Sequence, residues 1–263
     1  MFAWLLLAAA ASTDAKAAYD AGVAAFQKRD FATAERQLRR AVEADARHAA
    51  AWKALGVVHA AQEDYAGADI PFQKACELDT RLEDACYYYG RNAFALNRFE
   101  LSLEAMRKAL RHDSRPWRVH LGMAQALEGL GRASEAEEQY RRSIQLMAQP
   151  PSAPDYDPRL HYSVFLYRQA RLEQALAAIR PVTADYPRAA RPQVELGRTL
   201  LQLGRLDDAA RALEQAITVE PKSSQGHLLL GRIYARLGDP EKAARHSRLG
   251  ASLAAEEVSR TSR

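Results

Sequence analysis

The sequence predicts an all-α protein built from a repeated pair of helices, and three observations carry that prediction. Alanine makes up about one residue in five against only 13 Gly and 11 Pro, the balance of a helix-forming chain. The chain repeats itself every 34 residues. Residue size, and not only polarity, recurs at fixed places in that period, which amphipathicity alone does not require.

Composition narrows the function classes. With 48% hydrophobic and 27% charged residues the chain is too apolar for a disordered tail. Two cysteines exclude a disulfide-rich scaffold and a cysteine-based structural zinc cluster. A formal net charge of +4 is too small to argue for nucleic acid or an anionic membrane as the main partner.

Residues 1–14 form the first element. Phe2 to Ala11 is an apolar run too short to cross a bilayer as a helix and about as long as a signal-peptide core. Ala8, Ala10 and Ser12 could supply a small-residue cleavage site, although no Lys or Arg precedes the run. The expectation is an exported protein, in the bacterial periplasm, without stable membrane insertion once the segment is removed. The alternative is an uncleaved apolar helix covering the first repeat of a cytoplasmic protein.

The repeats follow, four over residues 15–150 and three over 156–257. Blocks of 34 start at Ala15, Ala49, Glu83 and Trp117, and after the insertion 151–155 at Tyr156, Ala190 and Ser224. Position 8 is always small: Gly22, Gly56, Gly90, Ala124, Ser163, Gly197 and Gly231. Position 20 is alanine except for Ser102. Position 24 is large in six blocks, as Leu38, Phe72, Met106, Tyr140, Ile179 and Leu213, and turns polar at Ser247. Position 27 is small apart from Val182. Two antiparallel helices, A and B, explain this: small residues let their backbones approach, and the bulky residue fills the space beside them. Gly131, Gly204 and Gly238 fall between A and B, where a residue tolerant of positive φ ends a helix. Pro187 and Pro221 fall between blocks.

The interruptions come next. Met147 to Arg159 holds four prolines and cannot be continuous helix, so it is either a surface loop within one array or a hinge between two. Pro71 is expected near the start of a B helix, and Pro181 to kink its helix or end it near Ile179. The last block reads as a solvated capping repeat, followed by a tail at 258–263.

This pattern resembles the tetratricopeptide repeat (TPR) family, whose motif is Trp, Leu, Gly, Tyr, Ala, Phe, Ala and Pro at positions 4, 7, 8, 11, 20, 24, 27 and 32. The second block matches with Trp52, Leu55, Gly56, Ala68, Phe72 and Ala75, the sixth with Leu196, Gly197, Ala209, Leu213, Ala216 and Pro221, and the seventh with Leu230, Gly231, Tyr234 and Ala243. Position 4 departs from the motif outside the second block, and position 32 is proline only twice. The resemblance implies a right-handed superhelical solenoid of about seven helix-turn-helix units.

It also implies that the A helices line a concave face, with positions 2, 5, 9, 12 and 13 pointing into it. Tyr19, Lys53 and Tyr87 then stand at position 5, Arg91, Arg198 and Arg232 at position 9, and Phe26, Phe94 and Tyr167 at position 12. Aromatic and Arg side chains are common interface anchors, so Tyr19, Phe26, Lys53, Tyr87, Arg91, Phe94, Arg198 and Arg232 are the candidate binding residues. An alternative is that some, particularly at position 12, only fill space between neighbouring A helices. The family's carboxylate clamp pairs Lys at position 5 with Asn at position 9; Lys53 is followed by Val57, so that clamp is absent.

Reactive groups form no catalytic pattern. No two histidines have zinc-helix spacing, and glycine-rich phosphate loops and nucleophile elbows are missing, so neither metal nor cofactor is expected. Carboxylate pairs such as Asp207 with Asp208 suit helix N-termini. Cys76 ends a B helix and Cys86 begins the next A helix, so an exported protein could bridge them; otherwise both are small packing residues. The expected function is a non-catalytic scaffold for protein-protein interaction, holding an extended peptide or partner domain, with assembly of an envelope complex as one setting and nucleic acid excluded. An RNA-binding helical repeat is the alternative, disfavoured by aromatic and aliphatic residues at position 5.

Overall fold

A computed structural model describes residues 2–78, 82 and 84–261, with side chains from 13 to 259 within those ranges. The side chains of the signal-like run, Glu83 at the start of the third block, and Ser262 and Arg263 of the tail lie outside the described residues.

The protein is an all-α helical repeat, with fourteen α-helices and no strand among the described residues. It divides into two units, residues 1–146 and 147–263. The first holds four helix pairs: α1 (Phe2–Gln27) with α2 (Phe31–Ala44), α3 (Ala49–Ala61) with α4 (Tyr65–Leu78), α5 (Ala85–Ala95) with α6 (Phe99–Ala109), and α7 (Pro116–Gly129) with α8 (Ala133–Leu146). The second holds three: α9 (Pro158–Arg168) with α10 (Leu172–Asp185), α11 (Ala190–Gln202) with α12 (Leu206–Val219), and α13 (Ser224–Leu237) with α14 (Pro240–Thr261). Before α9 the insertion forms a 3₁₀ turn at Pro154–Tyr156. Odd-numbered helices are the A helices and even-numbered ones the B helices.

Each pair is closed by the residue-size rule. A Cβ at Gly22, Gly56 or Gly197 would lie 2.6, 2.6 or 2.5 Å from the side chain of Leu38, Phe72 or Leu213, closer than atoms can approach. The large residue at position 24 therefore rests directly on the glycine at position 8 of its partner helix. Ala34, Ala68, Ala136, Ala175 and Ala209 at position 20 are fully buried. So are Ala41, Ala75, Ser143, Val182 and Ala216 at position 27.

The turn between helices A and B adopts one conformation seven times. Position 15 has positive φ at Arg29, Glu63, Asn97, Gly131, Ala170, Gly204 and Gly238. Three of these are the expected glycines; the other four hold the left-handed conformation at a cost of about 1 kcal/mol or more each. The next residue starts helix B, and Asp30, Asp64 and Asp239 there accept hydrogen bonds from backbone N–H groups of the first turn.

Both internal prolines lie within continuous helices. Helix α10 continues through Pro181 to Asp185 and does not end near Ile179. The ring is exposed while Ile179 and Val182 beside it are buried, so packing holds the last turn and water can serve the freed carbonyl. Pro71 is the seventh residue of α4, not part of its first turn. It is buried, and α4 runs on to Leu78. Helix α14 extends beyond residue 257 to Thr261.

Candidate functional site

Within each unit the two sides of the helix row differ. Successive A helices touch, α1 with α3, α5 with α7, α9 with α11 and α11 with α13, while no two B helices come as close among the described residues. A row that is tighter on one side curves toward it, so the A helices form the inner side of each unit. The candidate binding residues stand on these helices.

In the first unit the inner side is aromatic. The Tyr19 ring is half-buried, 5.0 Å from the ring of His48, whose Nδ1 accepts from the Ala51 N–H at the start of α3. Phe26 packs 5.9 Å from Phe31, and Phe94 packs 5.5 Å from Phe99. These are the same two positions in blocks one and three, so a position-12 aromatic ring leans on the first residue of its own helix B, not only on a neighbouring A helix. Phe94 remains 36% exposed. Lys53 is half-buried on α3, and Arg91 is exposed on α5.

Tyr87 lies deeper, at 9% exposed, with the Arg118 guanidinium 4.1 Å from its ring centroid. Burial pushes its hydroxyl pKa up, and the nearby Arg91 charge opposes that rise. Arg118 is itself only 7% exposed. Its Nε and Nη2 donate to Asp113 at 3.0 and 2.7 Å, and it also pairs with Asp84. Arg115 lies 3.4 Å from the same Asp84 carboxylate. Arg118 stands at a groove position, yet it serves to lock the third block to the fourth. Nothing in the sequence links Asp84, Asp113 and Arg118, because their spacings follow no motif.

In the second unit the inner side is basic. The Arg198 guanidinium lies 4.7 Å from the Tyr167 ring centroid and pairs with Glu195 three residues before it. Burial pushes the Glu195 carboxyl pKa up, against the pull of Arg198, Arg191 and Arg168. Arg232 is exposed on α13. Arg191 pairs with Asp155 of the insertion, whose main-chain carbonyl accepts from His161 Nε2 at 2.7 Å. The insertion is further tied down where the Tyr186 hydroxyl donates to the Pro151 carbonyl at 2.6 Å.

Two further pairings complete the picture. Cys76 and Cys86 form the disulfide that the sequence left as one of two alternatives, joining α4 to α5. His227 and His246 meet across α13 and α14 with Nδ1 atoms 2.9 Å apart. His227 Nε2 lies 3.0 Å from the Pro221 carbonyl, which can only accept, so His227 presents Nδ1 as an acceptor to His246 Nδ1–H. Their separation of 19 residues matches no metal or catalytic spacing. No cluster of three or more His, Cys, Asp or Glu side chains able to hold a metal occurs among the described residues. No helix among them is long and apolar enough to cross a membrane.

A family profile described as tetratricopeptide repeat matches residues 19–81, 90–154, 166–210 and 194–247. The chain therefore belongs to the TPR family. No curated protein matches it. Among solved structures it is similar to a TPR protein from Parabacteroides merdae, with 15% identity over 92% of this chain and 93% of that one and a TM-score of 0.71. It is similar to a chain of the APC/C hetero-tetramer Cut9–Hcn1, with 16% identity, 86% of this chain covered and a TM-score of 0.68, but it spans only 43% of that chain's length. It is also similar to YrrB, described as a TPR protein with an unusual peptide-binding site, with 20% identity over 72% of this chain and 95% of that one and a TM-score of 0.51. Identities this low establish likeness of fold. The fold is that of a scaffold for protein-protein interaction.

Proposed function

We propose that this TPR protein is a non-catalytic scaffold that binds an extended peptide or a partner domain along the inner sides of its A helices. The observation that carries this reading is the concentration of interface-type side chains there: Tyr19, Phe26, Lys53, Tyr87, Arg91 and Phe94 in the first unit, Arg198 and Arg232 in the second. Exposed Arg91 and Arg232 and partly exposed Phe94 supply the outer contacts, and the buried Tyr87 ring stiffens the surface beneath. Peptide binding by YrrB and complex formation by Cut9 support the same use of the fold.

The protein acts after export, in a bacterial periplasm, where it takes part in assembling an envelope complex. The apolar N-terminal run and the Cys76–Cys86 disulfide support this placement, since disulfides persist in oxidising compartments.

The test is affinity capture from the native organism, with wild type beside a variant carrying Lys53→Glu, Arg91→Glu and Arg232→Glu. Proteins retained by wild type and lost by an equally helical variant are the expected result. Equal recovery by both overturns the inner-side assignment. The N-terminal residue of the same bait reads export directly, because an intact Met1 contradicts cleavage.

A further inference from the structure

We propose that the last helix pair is closed by a proton-sensitive latch, the His227–His246 contact, so that acid loosens α14 from α13 and opens the array at its last block. This latch goes beyond the scaffold reading and does not depend on what the array binds.

The last block lacks the clasp that closes the others. At position 24 the first six blocks bury Leu38, Phe72, Met106, Tyr140, Ile179 and Leu213 almost completely. The seventh has Ser247 there, exposed, with its side chain against Gly231 of α13. Helix α12 packs on both α11 and α13, whereas α14 packs chiefly on α13. A helix held by fewer apolar contacts depends more on its polar ones, and at the end of an array it can open without unfolding the rest.

The polar tie is a repeat feature made titratable. In the fourth block His120 Nδ1 meets Gln139 Oε1 at 2.7 Å, joining α7 to α8. In the seventh block the same two positions hold His227 and His246, with Nδ1 atoms 2.9 Å apart and stacked rings 5.2 Å between centroids. A glutamine amide carries both a donor and an acceptor, so by turning it suits either protonation state of the histidine opposite. A second histidine has no such freedom.

The Pro221 carbonyl keeps a proton on His227 Nε2, so His227 Nδ1 accepts from His246 Nδ1–H. The first added proton enters at His246 Nε2 and leaves that hydrogen bond in place. A second has only His227 Nδ1 to take it, and two N–H groups then face each other across 2.9 Å. The surroundings oppose added positive charge. Lys242 and Arg245 of α14 face His246, and Lys242 lies 4.9 Å from the centroid of the Tyr234 ring that stacks on it. Glu214 of α12 is a carboxylate facing the pair, and it is already engaged by the Tyr234 hydroxyl. Once α14 has parted from α13 both imidazoles are hydrated and take protons as free histidines do, near about pH 6.5. Below that pH the open form therefore binds more protons than the closed one, and acid shifts the balance toward it. Above it the latch is fully closed.

Nitrogen-15 NMR of the full chain with labelled histidine tests the latch. Near about pH 7.5 His227 should carry its proton on Nε2 and His246 on Nδ1. A proton on His227 Nδ1 under those conditions overturns the proposal. Amide exchange of α14, corrected for the pH dependence of the exchange chemistry, should show local opening that rises several-fold from about pH 7 to about pH 5.5. His246→Gln gives the seventh block the pairing of the fourth, and should keep α14 closed and flatten the response. Opening that does not rise with acid, or that rises equally in His246→Gln, overturns the proposal.

Discussion

The inner sides of the two units are built on the same helix pairs and use arginine in opposite ways. In the first, Arg118 is buried over Tyr87 and consumed by Asp84 and Asp113, leaving a surface of rings with scattered charge. In the second, Arg198 is half-buried beside Glu195, and Arg191 and Arg232 are exposed. The packing positions of a block are constrained by the size of what they touch, whereas the inner positions of its A helix are constrained only by what binds there or by what the neighbouring block supplies. Arg118 therefore holds two blocks together in the first unit, while Arg191 and Arg232 stand exposed in the second.

The sharpest way to break this contrast is to truncate one arginine from each unit. Arg118→Ala leaves the buried Asp113 without its cation and Asp84 with Arg115 alone, and should cost about 3–5 kcal/mol, read as a shifted denaturant midpoint. Arg232→Ala, on an exposed side chain, should move stability by less than about 0.5 kcal/mol. Comparable losses in both would mean that the second unit's arginines are structural as well.

The next largest effect concerns the covalent tie, which is confined to the first unit among the described residues. Cys76→Ser with Cys86→Ser should lower stability by about 2–3 kcal/mol, since the bridge closes a short loop of sequence separation 10. Hydrogen exchange should localise the loosening to α4 and α5. Loosening spread evenly over residues 1–146 and 147–263 would contradict a division into two units.

A smaller test bears on the turns that the two units share. Gly204→Ala places a Cβ on a left-handed residue and should cost about 1 kcal/mol. Ala170→Gly should be close to neutral, because relief of that strain is offset by the greater freedom of glycine in the unfolded chain. Thermal melts of the two variants would separate these outcomes.

The smallest effect is pH-dependent and belongs to the second unit. Burial first, and the neighbouring His227 next, hold the His246 pKa below the ordinary histidine value of 6.5. The groups facing it include Glu214, Lys242, Arg245 and the Tyr234 ring 5.7 Å away. A histidine with a depressed pKa binds its proton more readily when unfolded. Its contribution is complete above the unfolded value and falls as pH drops below 6.5 toward the folded value. Exchange protection of α13 and α14 should decline over that range in wild type and vary less in His246→Gln, whereas α5 and α6, which carry no histidine, should not follow it.

How much of this was legible in the sequence depended on what constrained each residue. Gly22 and Gly56 announced themselves because Leu38 and Phe72 leave no room for a Cβ. Gly131, Gly204 and Gly238 marked their turns, but Arg29, Glu63, Asn97 and Ala170 hold the same positive φ without any compositional sign. Tertiary packing overrides local preference there, as it does where α10 passes through Pro181. The chemistry of the inner positions was visible from the register, while their exposure was not: Tyr87 falls beneath an arginine from the next block. The His227–His246 contact and the Arg118 cluster join residues whose spacing reflects only the fold.

The central claim is that ligands meet the A-helix side of the blocks. It is tested most directly by a photo-crosslinking amino acid placed at Arg232 on α13 and, separately, at the exposed Arg211 on α12, in protein expressed in its native organism. Partner adducts are expected from position 232 and none from position 211. Adducts from 211 with none from 232 would place the binding surface on the B helices and contradict it.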